Sequence, residues 1–313
     1  MVEVFKSTLS PMLTMFTCII AGYILNRSKK APENTGAVLS KCENYIIIPA
    51  LILNTYMKRH TIETLRVNYG LITYSTITLA AAMVIGSLLS RAFSKDAYTR
   101  NIYKYALTIA NFGYMGNAIV QMILGDEMLY KYMLYTTPLG FAVYSWGMAI
   151  LTPNNDKKIS PMKFLISPSR IAMISGIILG DSGLGNYLPG FFTTAIGNLS
   201  VCMGPLAMIL TGFVIAQYNF IDMLKNAKVY VATFLRLVVL PMIFVTALYF
   251  IGAEKEIILL TFIAFGTPLG LNTVVFPAAY GGDTNTGASM AMISHTLCVI
   301  TIPILYSLIC AIY

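Results

Sequence analysis

Two stretches of the sequence place hydrogen-bonding groups and helix breakers among residues that are otherwise apolar. The first is Asn111-Phe112-Gly113-Tyr114-Met115-Gly116-Asn117-Ala118-Ile119-Val120, and the second is Gly266-Thr267-Pro268-Leu269-Gly270-Leu271-Asn272-Thr273. Asn111, Asn117 and Asn272 can donate or accept hydrogen bonds, and Thr267 and Thr273 add hydroxyls. Gly113, Gly116 and Gly270 let backbone or ligand approach closely. Where a helix is interrupted, its restarted half presents free N–H groups and a dipole of roughly +0.5 charge. Two such ends meeting would hold a carboxylate or another anion without a full positive charge. Tyr114 and Tyr280 flank the same stretches.

The elements that carry these residues are membrane helices. The 313 residues are 57% hydrophobic and 11% charged, with a mean hydropathy of +0.72, whereas soluble chains carry about 25% charged residues. The net charge of +8 does not indicate nucleic acid, because the basic residues lie between apolar runs, as in the cytoplasmic loops of membrane proteins. The five cysteines (Cys18, Cys42, Cys202, Cys298, Cys310) fall in apolar segments with no CxxC pair, so they read as small core residues. No spacing suits a metal, and no cofactor is expected. The stretch from Thr8 to Asn26 is followed at once by Arg27, Lys29 and Lys30 and reads as a first membrane helix rather than a cleaved signal.

A crossing takes ~20 largely apolar residues. Ten pieces are expected, at about 8–26, 34–57, 68–90, 101–124, 129–151, 168–184, 191–217, 227–251, 256–279 and 286–312. A polar linker over 153–169, with Asn154, Asn155, Asp156, Lys157 and Lys158, divides a five-span repeat (1–152) from a second (170–313). An odd number of spans inverts one repeat relative to the other. Of 21 lysines and arginines, 13 fall in loops after odd-numbered spans, among them Lys163, Arg170, Lys225 and Lys228, and 6 on the opposite side. Basic residues are retained on the cytoplasmic side, so both termini are expected to be non-cytoplasmic, in the plasma (cell inner) membrane.

The halves echo one another. Ile48-Pro49-Ala50-Leu51-Ile52-Leu53 in span two matches Gly204-Pro205-Leu206-Ala207-Met208-Ile209-Leu210 in span seven. Asn117 precedes Gly125-Asp126, as Asn272 precedes Gly281-Gly282-Asp283. Unwound backbone in lipid costs several kcal/mol per unpaired group and survives only inside protein or along a polar cavity. Interrupted spans in corresponding positions are how secondary transporters build a midplane site. Ionisable groups inside spans are functional candidates. Glu43, Arg236 and His295 each lie roughly 12–14 Å from the cytoplasmic end at ~1.5 Å per residue, a depth that permits a Glu43–Arg236 pair and a proton or substrate relay. His295 can titrate near neutral pH. Lys41 is expected to snorkel.

These segments resemble the auxin efflux carrier family, whose relatives include plant auxin exporters and bacterial permeases for small organic acids. The likeness runs along nearly the whole chain and is strongest in "NFGYMGNAIVQMILG" and in "FGTPLGLNTVVFPAAYGGDTNTGASMAMISHTLCVITIPILY". The resemblance implies an all-α protein of ten transmembrane helices in two inverted five-helix repeats, with broken spans four and nine crossing at the midplane, a bile-acid/sodium-proton-antiporter-like fold. It also implies a scaffold subdomain from spans 1, 2, 6 and 7, a transport subdomain from spans 3–5 and 8–10, elevator-type alternating access and a homodimer. Relatives commonly carry proline where this chain has Ala118, and plant members where Thr273 aligns, so the breaks are expected to rest on Gly113, Gly116, Pro268 and Gly270. No ionisable residue lies between Asn68 and Ser90.

The expected partners are the lipid bilayer and a small organic anion, a mono- or dicarboxylate or an auxin-like acid, with a proton gradient, the membrane potential acting on the anion, or sodium as the energy source, the lack of an acidic cluster in the transport helices counting against sodium. A channel-like anion uniporter and a membrane sensor are the alternatives. An enzyme would need a nucleophile with a base, a metal cluster or paired carboxylates. The chain has no HExxH and no GxSxG, and its two histidines, His60 and His295, are far apart in sequence.

Overall fold

The computed structural model describes residues 2–152, 167–218 and 226–312. The expected linker residues Asn154, Asn155, Asp156, Lys157, Lys158 and Lys163, and Lys225, lie outside the described residues. Every regular element among the described residues is helical.

The first half comprises α1 (Val2–Arg27), α2 (Thr35–Cys42), α3 (Ile48–Arg59), α4 (Ile62–Leu89), α5 (Ala97–Thr108), α6 (Asn117–Ala142) and α7 (Met148–Leu151). The second comprises α8 (Pro168–Asp181), α9 (Gly190–Val201), α10 (Met203–Ile215), α11 (Ala227–Phe234), α12 (Leu240–Phe250), α13 (Lys255–Gly266), α14 (Asn272–Ala279) and α15 (Asn285–Ile312). Wider π-helical turns join α2 to α3 (Glu43–Ile47), α6 to α7 (Val143–Gly147) and α11 to α12 (Leu235–Val239), and another, Phe112–Gly116, leads into α6. Helix starts follow local capping chemistry. The Asp96 carboxylate accepts from the Thr99 N–H at 2.7 Å, and Thr61 and Thr64 form a reciprocal capping box, each satisfying N–H groups that the first turn leaves free.

Seven continuous stretches among the described residues are long and apolar enough to cross a membrane. One of them, Ala97–Leu151, holds two of the ten expected spans. The chain doubles back at Gly125 (φ +82°), so that the Tyr132 hydroxyl donates to the Phe112 carbonyl at 3.1 Å. Expected span six is only the 14 residues of α8, and expected span nine is α13 and α14 with 267–271 unwound between them, so neither forms one long helix. The prolines of the sequence echo have matching positions. Pro49 and Pro205 both fall in the first turn of a helix that restarts mid-span, α3 after a π turn and α10 after Cys202. Gly281 (φ +72°) ends the second interrupted span as Gly125 ends the first, in a left-handed conformation that favours glycine.

Two pairs of close-packed helices stand out. α1 packs along α10, and α3 along α8. A Cβ added at Gly22 would meet the Ile209 carbonyl, and one at Gly212 the Ile19 carbonyl, so α1 and α10 touch backbone to backbone. Such small-residue contacts drive association where lipid removes the hydrophobic force between helices. Large apolar side chains such as Ile24, Val84, Ile178 and Phe250 are exposed on the outside, which suits contact with acyl chains.

At the end of α3 the buried His60 ties three elements together. Its Nδ1 lies 2.9 Å from the Tyr130 hydroxyl on α6, and its Nε2 lies 3.9 Å from the Asp181 carboxylate at the end of α8. With the Nε2–H facing the carboxylate, Nδ1 accepts from Tyr130. Nearby, Lys131 pairs with Glu256 at 2.6 Å, joining α6 to the first turn of α13.

Two predictions follow from this packing. Gly212→Ala forces α1 from α10 and costs about 1–3 kcal/mol, read as a lower unfolding midpoint in detergent, whereas Gly70→Ala, where an added Cβ meets nothing within 4 Å, leaves the midpoint unchanged or raises it. His60 has its pKa lowered from 6.5 by burial, with Asp181 partly opposing. The unfolded chain therefore takes up the proton first, and this contribution to stability is lost as pH falls below about 6.5. The unfolding midpoint of the wild type should drop more between about pH 7 and pH 5 than that of His60→Gln.

Candidate functional site

The two polar stretches meet. α5 stops at Thr108 and α13 at Gly266, and the residues that follow, Ile109 (φ −110°, ψ 130°) and Thr267 (φ −69°, ψ 157°), are extended. The Asn111 N–H then donates to the Pro268 carbonyl at 2.8 Å, joining one break to the other through the backbone. The Leu269 N–H donates to the Ser294 hydroxyl at 3.0 Å. His295 Nδ1 lies 2.7 Å from the Ala291 carbonyl. A carbonyl only accepts, so Nδ1 carries the hydrogen and Nε2 accepts from the Asn111 side-chain amide at 3.3 Å. His295 thus holds Asn111 in place.

The first break differs from the expectation. It occupies Ile109 to Asn111, whereas Gly113 and Gly116 belong to the helical π turn Phe112–Gly116. Asn111, at φ −81° and ψ 47°, makes the bend, and its carbonyl accepts from the N–H groups of both Met115 and Gly116. Gly116 is small for another reason, since a Cβ there would strike the Tyr132 hydroxyl. Gly270 has room for a Cβ, 3.6 Å from the Asn111 Cα.

A cavity of about 650 Å³ opens against this crossing, lined by Asn111, Gly113, Tyr114, Asn117, Gly270 and Asn272 among others. These are the starts of the two restarted halves. The Asn117 amide donates to the Gly113 carbonyl at 2.7 Å, and its Oδ1 is buried with no hydrogen-bond partner. Asn272 donates to the Tyr105 hydroxyl at 3.0 Å, and Tyr105 stacks on Trp146 with centroids 6.1 Å apart. The Tyr114 hydroxyl donates to Asn44 at 3.1 Å, and Asn44 donates to the Ser40 carbonyl at 2.8 Å. Thr273 is buried and donates to the Gly270 carbonyl at 3.2 Å. Neither it nor Pro268 and Gly116 lines the cavity.

The three ionisable candidates do not form one cluster. Glu43 is fully buried, both carboxyl oxygens lack a hydrogen-bond partner, and it lies within electrostatic reach of Tyr114. Arg236 is 1% exposed, its Nε and Nη2 lack a partner, and it lies within reach of Tyr105. No ion pair joins Glu43 to Arg236. The reason is direction: the turn of Glu43 packs against α8 and α10, and that of Arg236 against α13 and α15. Equal depth in the bilayer does not set the face of a helix.

The structure also adds residues. Lys41 lines the cavity rather than only reaching for the surface, and so does Arg170, whose guanidinium lies 5.2 Å above the Phe141 ring. Asn44 was legible as a polar residue in an apolar span. Tyr105 and Ser294 carried no signal, because both types are common in membrane helices. The starts of two helices, the side-chain amides of Asn117 and Asn272, and the cations Lys41 and Arg170 thus line one cavity.

A family model described as membrane transport protein matches residues 7–306. An uncharacterized transporter of Methanothermobacter thermautotrophicus is 22% identical over 302 residues, covering 96% of this chain and 98% of that protein. The chain belongs to the membrane transport protein family, the auxin efflux carrier family that its interrupted spans resemble, and is a multi-pass membrane protein of that family.

Proposed function

We propose that the protein is a secondary transporter of small organic anions, mono- or dicarboxylates and auxin-like acids among them, working by elevator-type alternating access. The observation that carries this reading is the pair of interrupted helices joined at Asn111 and Pro268, with the starts of both second halves on one cavity. A carboxylate bound there would accept from free N–H groups at Gly113–Tyr114 and from the amides of Asn117 and Asn272. Lys41 and Arg170 would raise the local anion concentration at the mouth. Lys41 and Arg170, which neighbour the basic loops in sequence, line this cavity, so this arrangement would be the inward-facing one.

Several features support ten spans in two inverted repeats. Exchanging span one for six and two for seven turns the close pair α1–α10 into the close pair α8–α3. The restart prolines Pro49 and Pro205 and the left-handed Gly125 and Gly281 also correspond. In this reading spans 1, 2, 6 and 7 are the scaffold of a homodimer, spans 3–5 and 8–10 move, and both termini lie outside the cytoplasm of a plasma-membrane protein. Glu43, which makes no hydrogen bond, would carry the coupled proton, since burying it charged and unpaired would cost several kcal/mol. His295 would serve as a support for Asn111.

Counterflow in proteoliposomes tests the reading. With unlabelled acetate, malonate or succinate trapped inside, labelled uptake of a transported acid should be accelerated, and a channel-like uniporter would give no acceleration. In Asn117→Ala/Asn272→Ala the KM should rise about tenfold or more, as expected for hydrogen bonds to a charged group, with folded protein retained. An unchanged KM would remove the site.

A further inference from the structure

Lys41 and Tyr56 both line the cavity, yet along span two they are about 20 Å apart at ~1.5 Å per residue. The cavity therefore runs from the basic end of the span to Tyr56, where a layer of rings begins. Tyr56 interacts with Thr137 of α6, another cavity residue. Its ring meets those of His60 and Tyr130 at centroid distances of 5.8 and 5.6 Å, and these two meet each other at 5.9 Å. All three residues are at most 4% exposed. The two sides of the layer are built differently. A Cβ added at Gly176 would strike the Tyr56 side chain, and one at Gly180 the His60 carbonyl, so α8 holds this end of α3 through close glycine contacts. Tyr130 on α6, by contrast, reaches His60 through a ring and a hydroxyl, 2.9 Å from Nδ1 and 3.4 Å from the Thr64 hydroxyl. Contacts of that second kind can part.

We propose that Tyr56, His60 and Tyr130 are the closed outer gate of the carrier, and that His60 is its proton sensor, so that acid outside favours the arrangement open to that side. The inference rests on the alternating-access reading, in which α3 and α8 are scaffold and α6 moves. A second proton, on Nδ1, removes the acceptor of the Tyr130 hydroxyl, which must then turn to Thr64. The new charge sits on a ring shut from water, with the Asp181 carboxylate 3.9 Å away, beyond hydrogen-bond distance. Other charges are placed or engaged elsewhere. Lys131, beside Tyr130, pairs with Glu127 and Glu256, and Lys58, Arg59 and Glu63, near His60 in sequence, are exposed. Parting α6 from α3 lets water reach the charged ring and removes the cost of burying it, while Asp181, 28% exposed, stays beside it on the scaffold. Protons therefore bind the open gate better and shift the population toward it. The lowered pKa of His60 in the closed gate has the same sign: the advantage of the closed state is full above about pH 6.5 and declines below it.

Spin-label distances test this without a transported substrate. Labels at Ser182→Cys, just after α8, and Asp126→Cys, ahead of Tyr130 on α6, both exposed positions, are introduced with the five native cysteines replaced. Distances are measured in liposomes by pulsed dipolar spectroscopy at about pH 7.5 and about pH 5.5, on either side of the ordinary histidine pKa. With His60 intact, a longer distance should gain about threefold or more in population at the lower pH, within the limit of about tenfold per pH unit that one proton sets. His60→Gln can accept from Tyr130 but takes no proton, and should give the same distribution at both pH values. His60→Asn serves where His60→Gln does not fold. Tyr130→Phe, which leaves Nδ1 without its donor, should show more of the longer distance already at the higher pH. An unchanged distribution with His60 intact would overturn the inference, and so would a gain at low pH that persists without His60. Failed counterflow with the distances still responding to pH through His60 would count against the transported acids alone.

Discussion

The structure depends on the hydrogen bond from the Asn111 N–H to the Pro268 carbonyl. Two helices stop in the middle of a membrane protein, and each leaves backbone groups that lipid cannot satisfy. One break supplies the donor and the other the acceptor, so neither interruption is stable without its partner. Ser294 takes a further N–H, from Leu269, and His295 fixes the Asn111 side chain. Both come from α15, which is buried along this stretch. A single span therefore acts as the backing for both breaks.

From that constraint the electrostatics follow. Interrupting two helices and turning them toward each other gathers four helix ends in one place. The positive ends must face something anionic or polar, and they face a cavity with Asn117, Asn272 and a rim of Lys41 and Arg170. The remaining packing serves to keep this arrangement away from lipid. The glycine contacts of α1 with α10 bring backbones together on one side, and the His60, Tyr130 and Asp181 contacts join α3, α6 and α8 at one end.

Much of this was legible in the sequence because lipid leaves few choices. Asparagine, glycine and proline in an apolar span must have a structural reason, and the stretches chosen on that ground do meet. The position of the first break was not legible. Ile109 and Ala110 are ordinary in helices, and only the tertiary bond to Pro268 makes it favourable to unwind there rather than at Gly113. The missing prolines are also explained. Ala118 lies in helical backbone of α6 and its Cβ packs against Gly204, while Thr273 is in the first turn of α14, so neither position has to break the chain. The pairing of Glu43 with Arg236 failed because hydropathy gives depth and not azimuth. The span count was harder to read from helix length, since α8 and α13–α14 are short pieces whose role comes from their neighbours.

The central claim is that the restarted helix ends bind a carboxylate through their own N–H groups. Hydrogen–deuterium exchange of the purified protein, with and without an acid that it transports, measures those groups directly. The account predicts slowed exchange confined to residues 113–114 and 270–273 when the acid is bound. Protection elsewhere, with these amides unchanged under a saturating transported acid, would contradict it.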